Sequence, residues 1–264
     1  MLQNHPLIKK LHSNRPGLAF IHIPKTGGSS LSAALRKHYR FSCFHIKSRE
    51  SSLAAETMSG LTLGDDGFLD QRQRLRLALV NYAAALGYKF ITGHVWNDPR
   101  LHNLRGNGYK LVTCLRDPVE RWYSAYFYNR YKDDPADHGR ITTEFEEYLY
   151  SEHARQQGAV YSRYIGGLRT DGDYLCPAAI ETAREQLRQF DVIGFLNDRP
   201  QLERQVRQQF NIAISLPHRR RSPANRTVID KYRNDPSVRQ HVEQLCAADI
   251  VIYEHARDLN RLRR

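Results

Sequence analysis

Three groups of residues have the types and spacing to do chemistry together. The first is Pro24-Lys25-Thr26-Gly27-Gly28-Ser29-Ser30. Gly27 and Gly28 permit a tight turn and let main-chain N–H groups approach an anion closely. Ser29 or Ser30 can open a helix whose N-terminus favours a phosphate, and Lys25 adds a mobile positive charge on the same turn. That outlines a phosphate cradle, although the same residues also read as an ordinary strand-to-helix turn. They are not a Walker A loop, which needs G-x-x-x-x-G-K-[ST] with its lysine after the second glycine. Lys25 precedes both glycines, so an ATPase or GTPase is poorly supported.

The second group is Arg116-Asp117-Pro118-Val119-Glu120-Arg121-Trp122-Tyr123-Ser124-Ala125-Tyr126. The planar fork of Arg116 suits a phosphate, and Ser124 sits on the helix that follows. Arg121 lies three residues before Ser124 and can share its helix face. It ranks below Arg116 and Ser124 because it can instead pair with an acidic residue. The third is His94, directly after Gly93. An imidazole can take the proton of an attacking hydroxyl near neutral pH, and in α/β sheets the carboxyl ends of strands hold the site. The chain has 12 histidines, and a lone one is usually structural. His22, inside the first strand and expected to be buried beside the cradle, and His45 are the weaker candidates, and a glutamate is a further alternative.

The elements that must position these groups follow from local pattern. Apolar runs at 18–23, 41–46, 88–92, 109–115 and 190–196 predict strands. Helices are predicted over 30–39, 69–86 with Leu75, Leu79 and Tyr82 at helical spacing, 118–131, 178–189, 199–210, and one or two over 236–259. Asp117 can cap the 118–131 helix with Pro118 at its first position. Its many aromatics suit core and groove packing. Thr143 can cap a helix through Tyr150. Residues 47–67 read as loop with a short helix near 52–58, and 132–140, 170–177 and 216–225 read as loops. Strand, sharp stop and helix recur at 18–39 and 109–131. This argues for one α/β domain over 1–264 with a mostly parallel central sheet flanked by helices.

Composition narrows the partners. Hydrophobic residues make up 41% of the chain, ordinary for a globular protein, and the formal charge is +12, which favours acidic partners by long-range steering. No zinc finger, RNP pattern or K/R-rich arm supports specific nucleic-acid binding. The four scattered cysteines form no C-x-x-C pair, signal no disulfide framework or zinc knuckle, and suit a reducing compartment. No apolar run is long enough for a transmembrane helix, and residues 1–15 lack the apolar core of a signal peptide.

The PKTGGSS block followed by RDPVERWYSAY resembles the PAPS-dependent sulfotransferases, closest to the carbohydrate branch typified by heparan sulfate and uronosyl 2-O-sulfotransferases. The resemblance implies a P-loop-containing nucleotide-hydrolase-like fold and metal-free transfer of a sulfuryl group from PAPS to a carbohydrate hydroxyl, releasing PAP. It implies that Lys25, Thr26, Gly27, Gly28, Ser29 and Ser30 hold the 5′-phosphosulfate, with Lys25 stabilising the leaving group, and that Arg116 and Ser124 hold the 3′-phosphate. Gly93-His94-Val95 is similar to the segment whose histidine is the base in uronosyl 2-O-sulfotransferases. Those enzymes can carry a second histidine two positions away, where this chain has Thr92 and Trp96. Residues 160–167 resemble a segment that holds cofactor or lines the acceptor groove. Asp249, Tyr253 and Ala256 match a C-terminal D-x-x-x-Y-x-x-A signature. Golgi members carry an N-terminal membrane anchor; that none is seen in this sequence is expected either of a cytoplasmic enzyme of bacterial type or of a chain trimmed of its anchor. For an acidic glycan acceptor, Lys47, Arg49, Arg100, Arg163 and the Arg219 to Arg221 run offer charge, and Trp96 and nearby tyrosines offer stacking surface. A P-loop-class kinase and a non-catalytic basic glycan-binding protein on the same fold are the alternatives.

Overall fold

The computed structural model describes residues 15–132, 139–169, 172–216 and 224–263. The Arg219 to Arg221 run, most of the 132–140 and 216–225 segments and the first 14 positions lie outside the described residues. At the centre is a sheet of five strands in the order β2-β3-β1-β4-β5, every neighbouring pair parallel. The strands are β1 (Gly17–Ile21), β2 (Cys43–Ile46), β3 (Phe90–Gly93), β4 (Tyr109–Leu115) and β5 (Val192–Phe195). Each overlaps a predicted apolar run: β4 has the same bounds, β2 and β5 are shorter, β1 begins one residue earlier at Gly17 and β3 runs one residue further to Gly93. Parallel strands buried on both faces need such continuous apolar runs.

Alternation along β1 supplies both faces. Leu18 and Phe20 pack with Leu31 and Leu35 of helix α1 (Gly28–His38) and with Leu202, Val206 and Phe210 of a late helix (Arg199–Phe210). Ala19 and Ile21 pack on the other side with Leu77 and Val80 of α3 (Phe68–Ala85), with Ile165 of α8 (Val160–Gly166), and with Ile252 and Tyr253 of α13 (Ala247–Leu262). A separate aromatic cluster gathers Trp122, Tyr123, Tyr126 and Phe127 of α5 (Pro118–Tyr131) around Phe145 and Tyr148 of α6 (Phe145–Leu149). Those aromatics are core, as expected. The remaining helices are α2 (Ser48–Ser59), α4 (Pro99–His102), α7 (Glu152–Gln157), α9 (Pro177–Leu187), α10 (the Arg199–Phe210 helix), α11 (Arg226–Arg233) and α12 (Pro236–Leu245). No helix among the described residues is long and apolar enough to cross a membrane.

Local structure corrects the sequence reading in several places, and adds the unassigned helices α7 and α8. Residues 48–59 form a full helix, ended by left-handed Gly60, where a loop with a short helix was expected. Its buried face is Ser51, Ser52 and Ala55, so no apolar stripe announces it. On α3 the buried face is Phe68, Gln73, Arg76, Leu77, Val80 and Ala83, whereas Tyr82 of the expected stripe is exposed. Helix α6 starts at Phe145 after Glu144, with no side-chain cap, so Thr143 does not cap it. Residues 226–233 form α11, an element the sequence pattern did not assign; Asn225 caps it by accepting from Thr227 N. By contrast, Asp117 caps α5 by accepting from Glu120 N, with Pro118 in the first turn.

Candidate functional site

The carboxyl ends of β1, β3 and β4 open onto one cleft of about 2310 Å³. That is larger than the ~300–1,000 Å³ of a pocket for a single small ligand. Lys25, Gly27, Gly28, Ser29, Ser30, His94, Arg116 and Ser124 all line it. Three sequence-remote groups therefore meet because β1, β3 and β4 are sheet neighbours.

The turn after β1 carries its conformation in two residues. Gly27 has φ 83° and Lys25 has φ 68°, both left-handed. For lysine that conformation costs ~1–2 kcal/mol, and strain of this kind concentrates at functional sites. Gly27 is the N-cap of α1 and no side chain caps that end, where Ser30 N donates back to the Gly27 carbonyl at 3.0 Å. At Gly28 a Cβ would fall 2.1 Å from Cδ2 of His22, so the glycine makes room for that ring. Thr26 differs from the rest of the motif. It is fully buried, its hydroxyl donates to the Ile23 carbonyl at 2.9 Å, and it does not line the cleft. Its side chain fastens the turn from below. The Lys25 ammonium lies 3.3 Å from the ring centroid of Tyr128 on α5. Tyr128 and Ser124, four apart on one face, both line the cleft. Tyr128 was missed by sequence reasoning, and its i+4 relation to Ser124 was the available signal.

Arg116 is the first residue past β4. Its guanidinium pairs with Glu120 at 3.3 Å and Nη1 reaches the Lys25 carbonyl at 3.5 Å, so the two motifs touch. Glu120 also pairs with Arg233 at 2.9 Å. Burial pulls the Arg116 pKa below its ordinary value, and Glu120 opposes that pull. Arg121 does not share the cleft face of Ser124. It is fully buried and donates to the Gln157 carbonyl.

His94 follows β3 as expected and is half-buried. Its Nδ1 lies 2.6 Å from the His22 carbonyl. A carbonyl only accepts, so Nδ1 carries the proton and Nε2 keeps its lone pair. The His22 ring lies against His94, centroids 4.4 Å apart. The second histidine beside His94 thus comes from the end of β1 and not from two positions along the chain. Burial holds His94 down to about 4, with the charges of Arg76 and Arg72 and the neighbouring His45 acting in the same direction. His22 is also held well below its ordinary value, chiefly by burial and then by His94, His45 and Lys25. His45 sits on the edge strand β2, exposed and outside the cleft.

The His94 main chain is held by α3. Arg76 donates from Nη1 to the His94 carbonyl at 2.8 Å, from Nε to Ser51 Oγ at 2.9 Å and from Nη2 to the Ser48 carbonyl at 3.2 Å. Gln73 Oε1 accepts from Trp96 N at 3.1 Å. These two polar residues explain the unexpected buried face of α3. Of the acceptor-side candidates, Arg49 and Arg163 line the cleft, together with Arg72, whose Nε is buried without a partner. Lys47 pairs with Glu50 and Arg100 with Asp98, both away from the cleft. Trp96 is only 6% exposed, packed against Tyr164 and Tyr174, which leaves little ring for a sugar to stack on.

The fold and site define an α/β protein with a basic cleft at the carboxyl ends of parallel strands. No protein-family model and no curated protein matches this chain.

Proposed function

We propose that this chain transfers a sulfuryl group from PAPS to a hydroxyl of a carbohydrate acceptor and releases PAP. The observation that carries the reading is the meeting, in one cleft, of the Lys25 turn, the Arg116–Ser124 helix start and a histidine whose Nε2 is free of its proton. The residues present fit PAPS. A helix N-terminus without a side-chain cap, two hydroxyls and a lysine suit a phosphosulfate, and an arginine and a serine lining the same cleft suit a second phosphate. The cradle follows the central strand β1, which agrees with the P-loop-like variant of the parallel fold.

PAPS, when bound, supplies the activated sulfuryl group. Lys25 neutralises charge that builds on the departing bridging oxygen, where a preoriented cation is most effective. His94 Nε2 accepts the proton of the acceptor hydroxyl, and its Nδ1 bond to His22 keeps the ring in that tautomer and orientation. A pKa near 4 makes a weak base, but anions entering beside Lys25 and Arg116 raise it, since opposite charge favours the imidazolium. Arg72, Arg49 and Arg163 give the acceptor side a positive surface suited to an acidic glycan. The four cysteines are all unpaired, which suits a cytoplasmic setting.

The test is calorimetric titration with PAP beside ATP–Mg²⁺, on the wild type and on Arg116→Ala, followed by PAP release from PAPS in the presence of acidic and neutral glycans. Metal-independent PAP binding that Arg116→Ala weakens, and glycan-dependent PAP release, are expected. Preferential ATP–Mg²⁺ binding would move the cleft to the kinase class. PAP binding without turnover on any glycan would leave a binding protein.

A further inference from the structure

Beneath the cleft, a chain of buried hydrogen bonds joins the last helix to the main chain of Arg116. Asp249 on α13 is fully buried, and its Oδ1 accepts from the N–H groups of Tyr161 at 2.9 Å and Ser162 at 3.2 Å. These are first-turn N–H groups of α8, which have no carbonyl partner within their own helix. The residue before that helix, Ala159, offers no side-chain cap. The carboxylate therefore fixes where α8 starts and how it is turned. At the other end of this link, the Tyr161 hydroxyl accepts from Arg116 N at 2.9 Å and donates to the Arg116 carbonyl. Arg116 lies just past the last β4–β5 pair, Leu115 with Phe195, so its N–H and C=O lack a strand to bond. One phenol, a donor and an acceptor at once, completes both. Tyr161 is itself fully buried and does not line the cleft.

We propose that Tyr161 and Asp249 are positioning residues for Arg116, and that the preference of the cleft for a nucleotide bearing a 3′-phosphate depends on these two side chains, neither of which touches the ligand. This rests on the reading that Arg116 meets the 3′-phosphate. The guanidinium stands at the end of a long stem, so a small rotation of its main chain displaces it by more than a bidentate contact tolerates. The same chain of bonds gives two of the residues at the C-terminal end a task. Asp249 orients α8, and Tyr253 packs edge-on against Phe195 of β5, at 5.4 Å between ring centroids, holding α13 on the sheet.

The experiment is calorimetry of the full chain with PAP and with AMP, which lacks the 3′-phosphate, alongside urea unfolding of each variant. The wild type is expected to prefer PAP, and Arg116→Ala to lose that preference. Tyr161→Phe keeps the ring and removes both bonds. It is expected to lose about ten-fold in PAP affinity while AMP affinity stays within about two-fold. Asp249→Ala is expected to change in the same direction. Asp249→Asn retains an accepting oxygen and is expected to stay within about two-fold of wild type for PAP. The Asp249 pair decides the matter by itself if Tyr161→Phe does not fold. A merely structural role would lower stability and leave the PAP-to-AMP ratio unchanged. That result, wild-type PAP affinity in Tyr161→Phe and Asp249→Ala, or Asp249→Asn binding no better than Asp249→Ala, overturns the inference and leaves Arg116 in place. An unchanged ratio in Arg116→Ala overturns the reading of Arg116, and the inference with it.

Discussion

Acidification should destabilise the folded chain through His94, and His94→Asn should remove that part of the loss. The imidazole is held down to about 4 in the fold, chiefly by burial, against about 6.5 in the unfolded chain. As pH falls the unfolded chain takes up the proton first. The contribution of a neutral His94 is therefore complete above about pH 6.5 and is lost as pH falls towards about 4. The loss is ~1.4 kcal/mol per pH unit across that window and ~3 kcal/mol in total. His22, also held well below its ordinary value chiefly by burial, adds to the acid sensitivity of both proteins, less in the variant because the His94 charge that helps depress it is gone. Asparagine places an amide N–H near Nδ1, where it can still serve the His22 carbonyl, so the variant should fold. Urea unfolding of both proteins at several pH values between about 7.5 and 4.5 gives the two slopes. Parallel slopes would refute the buried, neutral His94 on which its role as base rests. At neutral pH the same variant should keep its PAP affinity and lose ~10²–10⁴-fold in sulfuryl transfer.

PAP binding should raise the pKa of His94, read from its ring resonances by NMR, because anions beside Lys25 and Arg116 counter the cations that depress it. Lys25→Gly should leave stability within ~1 kcal/mol, since relief of the left-handed strain offsets loss of the Tyr128 contact, while transfer falls ~10²-fold or more. A melting-temperature loss as large as the activity loss would assign Lys25 to the scaffold. Gly28→Ala should push the His22 ring off its place against His94 at a cost of ~1–3 kcal/mol, seen as a lower melting temperature and shifted ring resonances of both histidines. Arg76→Met should cost ~1–3 kcal/mol in urea unfolding, because the buried Ser51 hydroxyl and two part-buried carbonyls lose their donor, and should raise the pKa of His94 by removing a neighbouring charge.

What the sequence determined by itself was local. Apolar runs mark the strands, most continuously at β1, β4 and β5, because a parallel strand covered on both faces is apolar along most of its length. Asp117-Pro118 marks the start of α5 because cap and first-turn chemistry act between neighbours. The types and spacing of Lys25, Gly27, Gly28, Arg116 and His94 were legible for the same reason. The tertiary structure decided what those residues face. The order β2-β3-β1-β4-β5 brings the ends of β1, β3 and β4 together, and no local pattern states that order. It also turned Gln73 and Arg76 inward, seated the Thr26 hydroxyl under its turn, buried Arg121 and most of Trp96, and set His22 against His94. Periodicity records apolar burial only. A buried polar side chain is stable only when a distant element supplies its hydrogen-bond partner, and that partner exists only once the chain has folded.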